Sequence, residues 1–254
     1  MILVAANFRG KTFSNSLKRQ LFLPYLEMMD KIFVDSDVDF KLGLEWGLKN
    51  LELASNPRID QVLDRQEKIQ DISWLKAWIG DKTLILASVW KTDMEIIESD
   101  VEKLISDKKF KVIIVPHEYE AFFDPKSTKF FYSTSKKFDP EASICMVNEV
   151  GILFDLFQFA NFAYVGGGFN SDVHSTLEPA SFGLPLFFGP NIKRSLEASD
   201  FVNGNGAKII NNKGDLFSAI TQSKINGSFN LDYLKYKRGG SQKIIQYLKE
   251  KSLI

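Results

Sequence analysis

The chain has 254 residues, and its 32 Lys+Arg balance its 32 Asp+Glu, so the formal net charge is zero. A neutral chain lacks the overall positive field that attracts nucleic acid, and nucleic acid is therefore not an expected partner. Cys145 is the only cysteine, which excludes an intrachain disulfide, and no window is long and apolar enough to span a bilayer. We expect a cytoplasmic protein with a substantial core, since 44% of the residues are hydrophobic.

The first sixty residues alternate between short apolar strands and helices. Strands are predicted at residues 2–6, 31–34 and 50–54, and helices at residues 14–29 and 37–46. Strands that alternate with helices in this way indicate a parallel sheet.

The predicted helix over residues 14–29 has an apolar stripe with basic residues beside it. The apolar members are Leu17, Leu21, Phe22, Tyr25, Leu26 and Met29, and the basic ones are Lys11, Lys18 and Arg19. Such a helix either packs on a core or lies on a membrane surface, and packing on a core is the commoner arrangement. Pro24 predicts a kink within it.

A longer series of strands follows. The strands predicted there are residues 83–87, 111–115, 130–132, 143–147, 163–165, 184–188 and 206–210. Helices are predicted at residues 92–106, 151–157, 213–223 and 231–253, the last with an interruption at Gly239-Gly240, and a charged helical linker at residues 61–79. The polar segment 124–139, which contains Lys126, is expected to be a solvated face.

Two glycine turns each directly follow a predicted strand. Gly166-Gly167-Gly168 follows the strand at 163–165, and three glycines allow positive φ and close approach, so that a ligand can dock on the backbone. A helix is predicted to start near Ser175 or Thr176, and Gly189-Pro190 follows the next strand. This is a βαβ unit with two loops at its carboxyl edge, and its helix N-terminus favours an anion such as phosphate.

Two more predicted strands are followed by side chains that suit a phosphate site. Ser88 follows the strand at 83–87, and its hydroxyl either donates to a phosphate oxygen or caps the next helix. His117 follows Pro116 at the end of the strand at 111–115, where a histidine is either structural or a ligand contact. With two histidines, one cysteine and no HExxH or CxxC spacing, a zinc site is not expected.

The segment from 147 to 200 resembles the donor-binding core of the Kdo transferases (3-deoxy-D-manno-octulosonic acid transferases, glycosyltransferase family 30), which build the inner core of lipopolysaccharide. The matching elements are Gly151 with Leu153, Ala160-Asn161, Val165-Gly166-Gly167, His174, Leu177-Glu178-Pro179-Ala180, Gly183-Leu184-Pro185 and Phe188-Gly189-Pro190. Their shared order and spacing is far more specific than one glycine run, for which a generic nucleotide-binding βαβ unit is the alternative.

The resemblance implies an α/β fold of the GT-B type with a Rossmann-like parallel sheet. In this interpretation residues 60–235 are a complete C-terminal nucleotide-sugar-binding domain, and residues 1–59 are a remnant of the N-terminal acceptor domain and the hinge. Residues 236–254 are expected to form a C-terminal helix that packs back toward the N-terminal part. The family's general base belongs to a preceding part, so the resemblance implies an N-terminally truncated chain without a catalytic residue of its own.

The resemblance also implies which residues bind the donor nucleotide. These are Ser88, Pro116, His117, Val150, Gly151, Ile152, Gly167, His174, Ser175, Thr176, Leu177 and Glu178. His117 stands where many members have arginine, and Ile152 stands where a glutamate is usual, so the 150–152 turn is expected to act through its backbone amides. Glu178 is expected to accept hydrogen bonds from ribose hydroxyls, with complementing of the helix dipole as its alternative role. His174 is expected to orient the loop or to contact the sugar carboxylate.

The implied reaction is transfer of Kdo from CMP-Kdo to a lipid A precursor, with inversion and without a metal ion or other cofactor. The implied partners are CMP-Kdo and the lipid A precursor, and a peripheral position at the cytoplasmic face of the inner membrane is left open. The alternative is a non-catalytic CMP-sugar-binding fragment, so whether the chain is an enzyme also stays open. A Rossmann oxidoreductase is disfavoured, because Gly166-Gly167-Gly168 does not follow the GxGxxG pattern.

Overall fold

A computed structural model describes residues 1–9, 13, 15–118 and 129–254. Lys11, Lys126 and the part of the polar segment before residue 129 lie outside the described residues. The chain divides into two compact units, one of residues Met1–Arg65 with Leu234–Ile254, and one of residues Gln66–Tyr233. None of the helices in the described ranges combines the length and the apolar character that a membrane crossing needs.

The helices and strands are numbered in chain order. The strands are β1 (Ile2–Ala6), β2 (Lys31–Val34), β3 (Leu51–Leu53), β4 (Thr83–Val89), β5 (Lys111–Pro116), β6 (Phe130–Tyr132), β7 (Ile144–Met146), β8 (Phe162–Val165), β9 (Leu186–Phe188) and β10 (Ala207–Ile209). The helices are α1 (Ser16–Glu27), α2 (Asp37–Glu45), α3 (Pro57–Gln66), α4 (Ser73–Lys76), α5 (Lys91–Lys108), α6 (Leu153–Leu156), α7 (Leu177–Ser181), α8 (Leu196–Asn203), α9 (Asp215–Gln222), α10 (Gly227–Lys237) and α11 (Gly240–Glu250). Short 3₁₀ turns follow β6 and α6.

The first unit contains a three-stranded parallel sheet in the order β1-β2-β3. One face packs on an apolar cluster that includes Leu26 of α1, and on the other face Ile244 of α11 packs against Phe33. The buried Asp60 of α3 accepts hydrogen bonds from the amides of Gly239 (2.7 Å) and Ser241 (2.6 Å) where α11 begins. Burial raises the pKa of Asp60, but these hydrogen bonds lower it, and the pKa lies below its usual value.

Helix α1 does not bury the stripe that its sequence pattern suggests. Leu26 is buried, yet Leu17 (73% exposed), Leu21 (70%) and Tyr25 (66%) face solvent. Packing on a core, the commoner of the two predicted arrangements, therefore applies to Leu26 and Met29 but not to the exposed members of the stripe, because the helix turns only one edge toward the sheet.

The second unit contains a seven-stranded sheet in the order β10-β9-β8-β4-β5-β7-β6, with every neighbouring pair parallel. The chain runs outward from β4 to β5 on one side and places β8 on the other, so the strand order reverses at β4. In open parallel sheets, the crevice at such a reversal is the usual ligand site, and it lies at the carboxyl ends of the strands.

The central strands of this sheet are covered on both faces, which is why they read as continuous apolar runs. Helix α5 packs on one face through Met94, Ile97, Val101 and Leu104, all of them buried and spaced by three or four residues. Further along α5, the fully buried Asp100 accepts hydrogen bonds from the amides of Gly214 and Leu216, where α9 begins. The core thereby fixes α5, whose first turn lies at the carboxyl end of β4.

The structure corrects two of the predicted helices. The segment predicted as one interrupted helix over 231–253 is two helices, α10 and α11, because Gly239 adopts a left-handed φ of 112°. The helix in the predicted linker begins at Pro57 rather than after residue 60, as suits a proline in the first turn.

Candidate functional site

The carboxyl ends of β4, β5 and β8 bring together three of the predicted segments. Ser88 lies at an irregularity in the pairing of β4 with β5 and has a positive φ of 51°. The amide of His117, just after β5, donates to the carbonyl of Val89 (3.0 Å). The amide of Gly166, just after β8, donates to the carbonyl of Ala87 (2.9 Å). Backbone hydrogen bonds therefore hold the three strand ends in register.

The glycine turn is packed directly on the backbones of its neighbours. A Cβ atom on Gly166 would lie 2.2 Å from the carbonyl oxygen of Ser88, and one on Gly168 would lie 2.6 Å from the amide nitrogen of Gly189. Gly167 has a φ of 90°, and a Cβ there would lie 2.5 Å from the carbonyl oxygen of Asp172. The sequence suggested that these glycines leave room for a ligand, but at Gly166 and Gly168 protein backbone takes up that room.

Three aromatic rings form one compact group beside this turn, which we call the ring group: Trp90, His117 and His174. The indole N–H of Trp90 donates to Nε2 of His174 (2.7 Å), and the planes of the two rings are nearly parallel, at 12° to each other. The exposed ring of His117 stacks on both, with centroids 4.1 Å from Trp90 and 4.5 Å from His174. No pattern in the sequence indicates that the two histidines of the chain lie in contact.

The hydrogen bond from Trp90 determines the protonation of His174. Because an indole nitrogen only donates, Nε2 of His174 must accept, and a neutral ring then carries its proton on Nδ1. Burial lowers the pKa of His174, the neighbouring His117 lowers it further, and Asp93 raises it by less. The ring is therefore neutral at pH 7, since the usual histidine pKa of about 6.5 is already lower. Its backbone amide donates to the carbonyl of Gly166 (3.0 Å).

Asp93, in the first turn of α5, connects these parts, and the sequence analysis missed it. Its fully buried carboxylate accepts from the amide of Trp90 (2.9 Å), the amide of Gly167 (3.0 Å) and the hydroxyl of Tyr164 (2.9 Å). Burial and the Asp93 charge raise the pKa of Tyr164, which keeps its hydroxyl protonated as the donor. The three-residue spacing from Trp90 to Asp93 was the available signal, since a carboxylate there suits the start of a helix.

These contacts change two of the predicted roles. The amide of Gly167, predicted to meet the donor phosphate, is already donated to Asp93. The alternative role of Ser88 as a helix cap is also not what the structure shows, because Trp90 directly precedes the first residue of α5.

Helix α7 offers less to an anion than the sequence suggested. It has five residues, and the side chain of Thr176, the residue before it, makes no capping hydrogen bond. Thr176 and Leu177 are both 2% exposed, so their side chains belong to the core. Ser175 and Glu178 are half-buried at the same end of the helix. A helix of about one turn has only a small macrodipole. Binding of a phosphate here would therefore depend on individual backbone amides of the loop.

The 150–152 turn follows β7, and so lies at the same edge of the sheet. Val150 is 87% exposed, and Gly151 has a φ of 93° with no atom within 4 Å of where a Cβ would be. Ile152 directly precedes α6. Glu149, which directly precedes this turn, pairs with Nζ of Lys136 (2.7 Å). The turn is thus open to solvent on its glycine side. Pro116, the last predicted donor-binding residue, is the final residue of β5.

The chain is similar in sequence to proteins named 3-deoxy-D-manno-octulosonic acid transferase. The one from Chlamydophila psittaci is 27% identical over 266 residues, which are 98% of this chain and 59% of that protein. The one from Aquifex aeolicus is 29% identical over 146 residues, or 55% of this chain and 41% of that protein. The chain resembles the Kdo transferases. This confirms the resemblance predicted from the motifs, although no family model matches the chain.

The chain spans about half the length of these Kdo transferases. Among solved structures, one from Listeria monocytogenes, described as a UDP-N-acetylglucosamine 2-epimerase, covers 98% of this chain and 67% of its own. The TM-score is 0.66 at 14% sequence identity, so this likeness concerns the fold alone. It confirms the predicted Rossmann-like α/β fold of the GT-B type.

Proposed function

We propose that the chain acts in Kdo transfer for lipopolysaccharide biosynthesis and that it binds CMP-Kdo at the carboxyl edge of the seven-stranded sheet. The observation that carries the proposal is the ring group. It lies at the reversal of strand order. His174 is one of the elements that match the Kdo transferases, and His117 stands where many of them have arginine. The sequence similarity to Kdo transferases, over most of the chain in several cases, supports the same reaction.

The leaving group of this reaction is CMP, so the site must stabilise negative charge on a phosphate as the glycosidic bond breaks. His117 is the exposed member of the ring group, and its stacking on Trp90 and His174 limits the positions of its ring. An imidazole donates one hydrogen bond when neutral and two when charged, where arginine would offer a permanent charge. His174 contributes as a neutral donor through its Nδ1–H, and Glu178 accepts from the ribose hydroxyls.

The finer parts of the proposal come from the resemblance. They are a lipid A precursor as acceptor, inversion at the anomeric centre, no requirement for a metal ion or other cofactor, and action at the cytoplasmic face of the inner membrane. The alternative function is binding of a CMP-sugar without catalysis. Both functions include binding of the donor, so only an assay of Kdo transfer can distinguish them.

Titration calorimetry with CMP tests the site, and NAD serves as the competing nucleotide. We expect CMP to bind, NAD not to bind, and His117→Ala to weaken CMP binding by about tenfold, the usual cost of one charge-assisted hydrogen bond. Lys82→Ala is the matched control, because Lys82 precedes β4 at the opposite, amino edge of the sheet. Equal CMP affinity in the two variants would show that the ring group does not contribute to CMP binding.

An assay with CMP-Kdo and a lipid A precursor then separates the two functions. Formation of Kdo-modified lipid by this chain supports the transferase. Binding of CMP without any transfer supports the non-catalytic alternative.

A further inference from the structure

We propose that Asp93 is the positioning residue of this site: its carboxylate fixes the glycine turn and Trp90 relative to each other, and through Trp90 it fixes both histidines. The proposal deepens the proposed function, on which its prediction about CMP rests. Asp93 does not itself touch the donor, because its carboxylate is fully buried.

The hydrogen bonds of Asp93 join the start of α5 to a segment more than seventy residues further along the chain. One oxygen accepts from the amides of Trp90 and Gly167, and the other accepts from the hydroxyl of Tyr164. These donors belong to the β4–α5 turn, the glycine turn and strand β8. A carboxylate that served only to start α5 would need just the first of them.

Trp90 carries this constraint on to the histidines. Its amide is held by Asp93, and its indole N–H is held by Nε2 of His174. The glycine turn also holds His174, whose amide donates to the carbonyl of Gly166 (3.0 Å), and the turn leaves no room beside the His174 ring, since a Cβ on Gly167 would lie 3.0 Å from its Cδ2. His117 in turn stacks on both Trp90 and His174. A shift of Asp93 therefore moves every member of the ring group.

The support for Asp93 is rigid. Met94 and Ile97, on the same turns of α5, are buried in the core of the second unit. A functional group is held most precisely when it is supported by side chains on a packed element of secondary structure. Asp93 meets this condition because it lies on a packed helix, whereas Trp90 and the glycine turn lie in loops.

Helix α5 also provides a matched control. Asp100 lies two turns further along and is fully buried as well, and it too accepts from three donors, in its case the backbone amides of Gly214, Leu216 and Phe217. It holds the start of α9, and its hydrogen bonds run to residues 214–217 and not to the ring group. A loss that is merely structural should therefore appear in variants of Asp93 and Asp100 alike.

The chemistry of the substitutions gives the proposal a graded test. Asp93→Ala removes both acceptors. Asp93→Asn can keep its carbonyl oxygen toward the amides of Trp90 and Gly167 and offer its NH₂ to the oxygen of Tyr164, so it preserves the geometry and removes the charge. Because the Asp93 charge raises the pKa of His174, Asp93→Asn should lower that pKa further without displacing the ring.

The experiment measures CMP affinity by calorimetry, and the His174 ring and Trp90 indole signals by NMR as a function of pH. We expect Asp93→Ala to displace both signals and to weaken CMP binding about tenfold or more, while Asp93→Asn stays within about threefold of the natural protein. Asp100→Ala should lose stability but keep both signals and the CMP affinity. The NMR measurements need no CMP, so they test this proposal even if the proposed function fails.

Unchanged Trp90 and His174 signals in folded Asp93→Ala would overturn the proposal, as would equal loss of CMP affinity in Asp93→Ala and Asp100→Ala. If Asp93→Ala does not fold, Asp93→Asn and Asp100→Asn decide the matter. A lowered His174 pKa in Asp93→Asn alone supports the proposal, and the same His174 pKa in both variants overturns it.

Discussion

The 166–168 and 150–152 turns both lie at the carboxyl edge of the large sheet and both contain glycine, but they differ in what their glycines do. Gly166 and Gly168 are buried, and the space that a side chain would need is filled by the backbones of Ser88 and Gly189. Gly151 is exposed, and no atom lies within 4 Å of where its side chain would begin. In the first turn glycine permits close packing, while in the second it permits only a left-handed backbone.

This difference indicates that the 166–168 turn is structural and that the 150–152 turn is accessible to a ligand. The 166–168 turn is a fixed part of the protein, with the amide of Gly167 already donated to Asp93. The 150–152 turn keeps its glycine face open to solvent. The first turn should therefore respond to substitution through stability, and the second through ligand binding.

Gly166→Ala should have the largest effect. The new methyl group would lie 2.2 Å from the carbonyl oxygen of Ser88 and 2.6 Å from Cα of Val89, both of which are backbone atoms of a central strand. Neither can move without disturbing the sheet, so we expect a loss of about 3 kcal/mol or more in the free energy of unfolding. Urea denaturation measures it, and a loss below about 1 kcal/mol would show that the 166–168 turn is not as tightly packed on β4 as described.

Gly151→Ala should cost less, because it meets no steric obstacle. The left-handed φ of 93° is unfavourable for alanine by about 1–2 kcal/mol. If the turn binds the donor through its backbone amides, as the resemblance implies, the added methyl group also weakens CMP binding. Urea denaturation and CMP calorimetry on the same variant check both expectations. A stability loss as large as that of Gly166→Ala would abolish the distinction between the turns.

The sequence predicted the strands well, because buried parallel strands are continuous apolar runs whose ends are visible in the sequence. Strands β1, β2 and β6 begin and end at the predicted residues. It did not predict Asp93, whose partners Tyr164 and Gly167 lie more than seventy residues away and are brought to it only by the β4–β8 pairing.

The orientation of a helix was also beyond the sequence. A periodic stripe shows that α1 is amphipathic, but it does not say how much of that stripe the sheet covers. Leu21 and Leu26 belong to the same predicted stripe, and only Leu26 is buried. Similarly, nothing in the spacing of His117 and His174 indicates that their rings stack.

The lowered pKa of His174 predicts that the stability of the protein depends on pH in a defined direction. Its pKa is lower in the folded protein than in the unfolded chain, so the unfolded chain binds the proton more readily. The contribution to stability is complete above the unfolded value of about 6.5 and is lost as the pH falls through the lower folded value. Urea midpoints between pH 7.5 and pH 5 should therefore decrease, and they should decrease less in His174→Gln. A midpoint that falls equally in both proteins would assign the effect to other groups.

The smallest effect on stability is expected beside the 150–152 turn. Glu149 pairs with Lys136 across the surface, and such exposed ion pairs contribute about 0.2–1 kcal/mol. Glu149→Gln should therefore change the free energy of unfolding by no more than that amount. Because its carboxylate is engaged by Lys136, it does not replace the usual glutamate at Ile152, and CMP affinity should stay within about twofold. A larger loss of CMP binding in Glu149→Gln, with stability unchanged, would mean that the 150–152 turn binds the donor through a side chain. The 150–152 and 166–168 turns would then differ in chemistry as well as in packing.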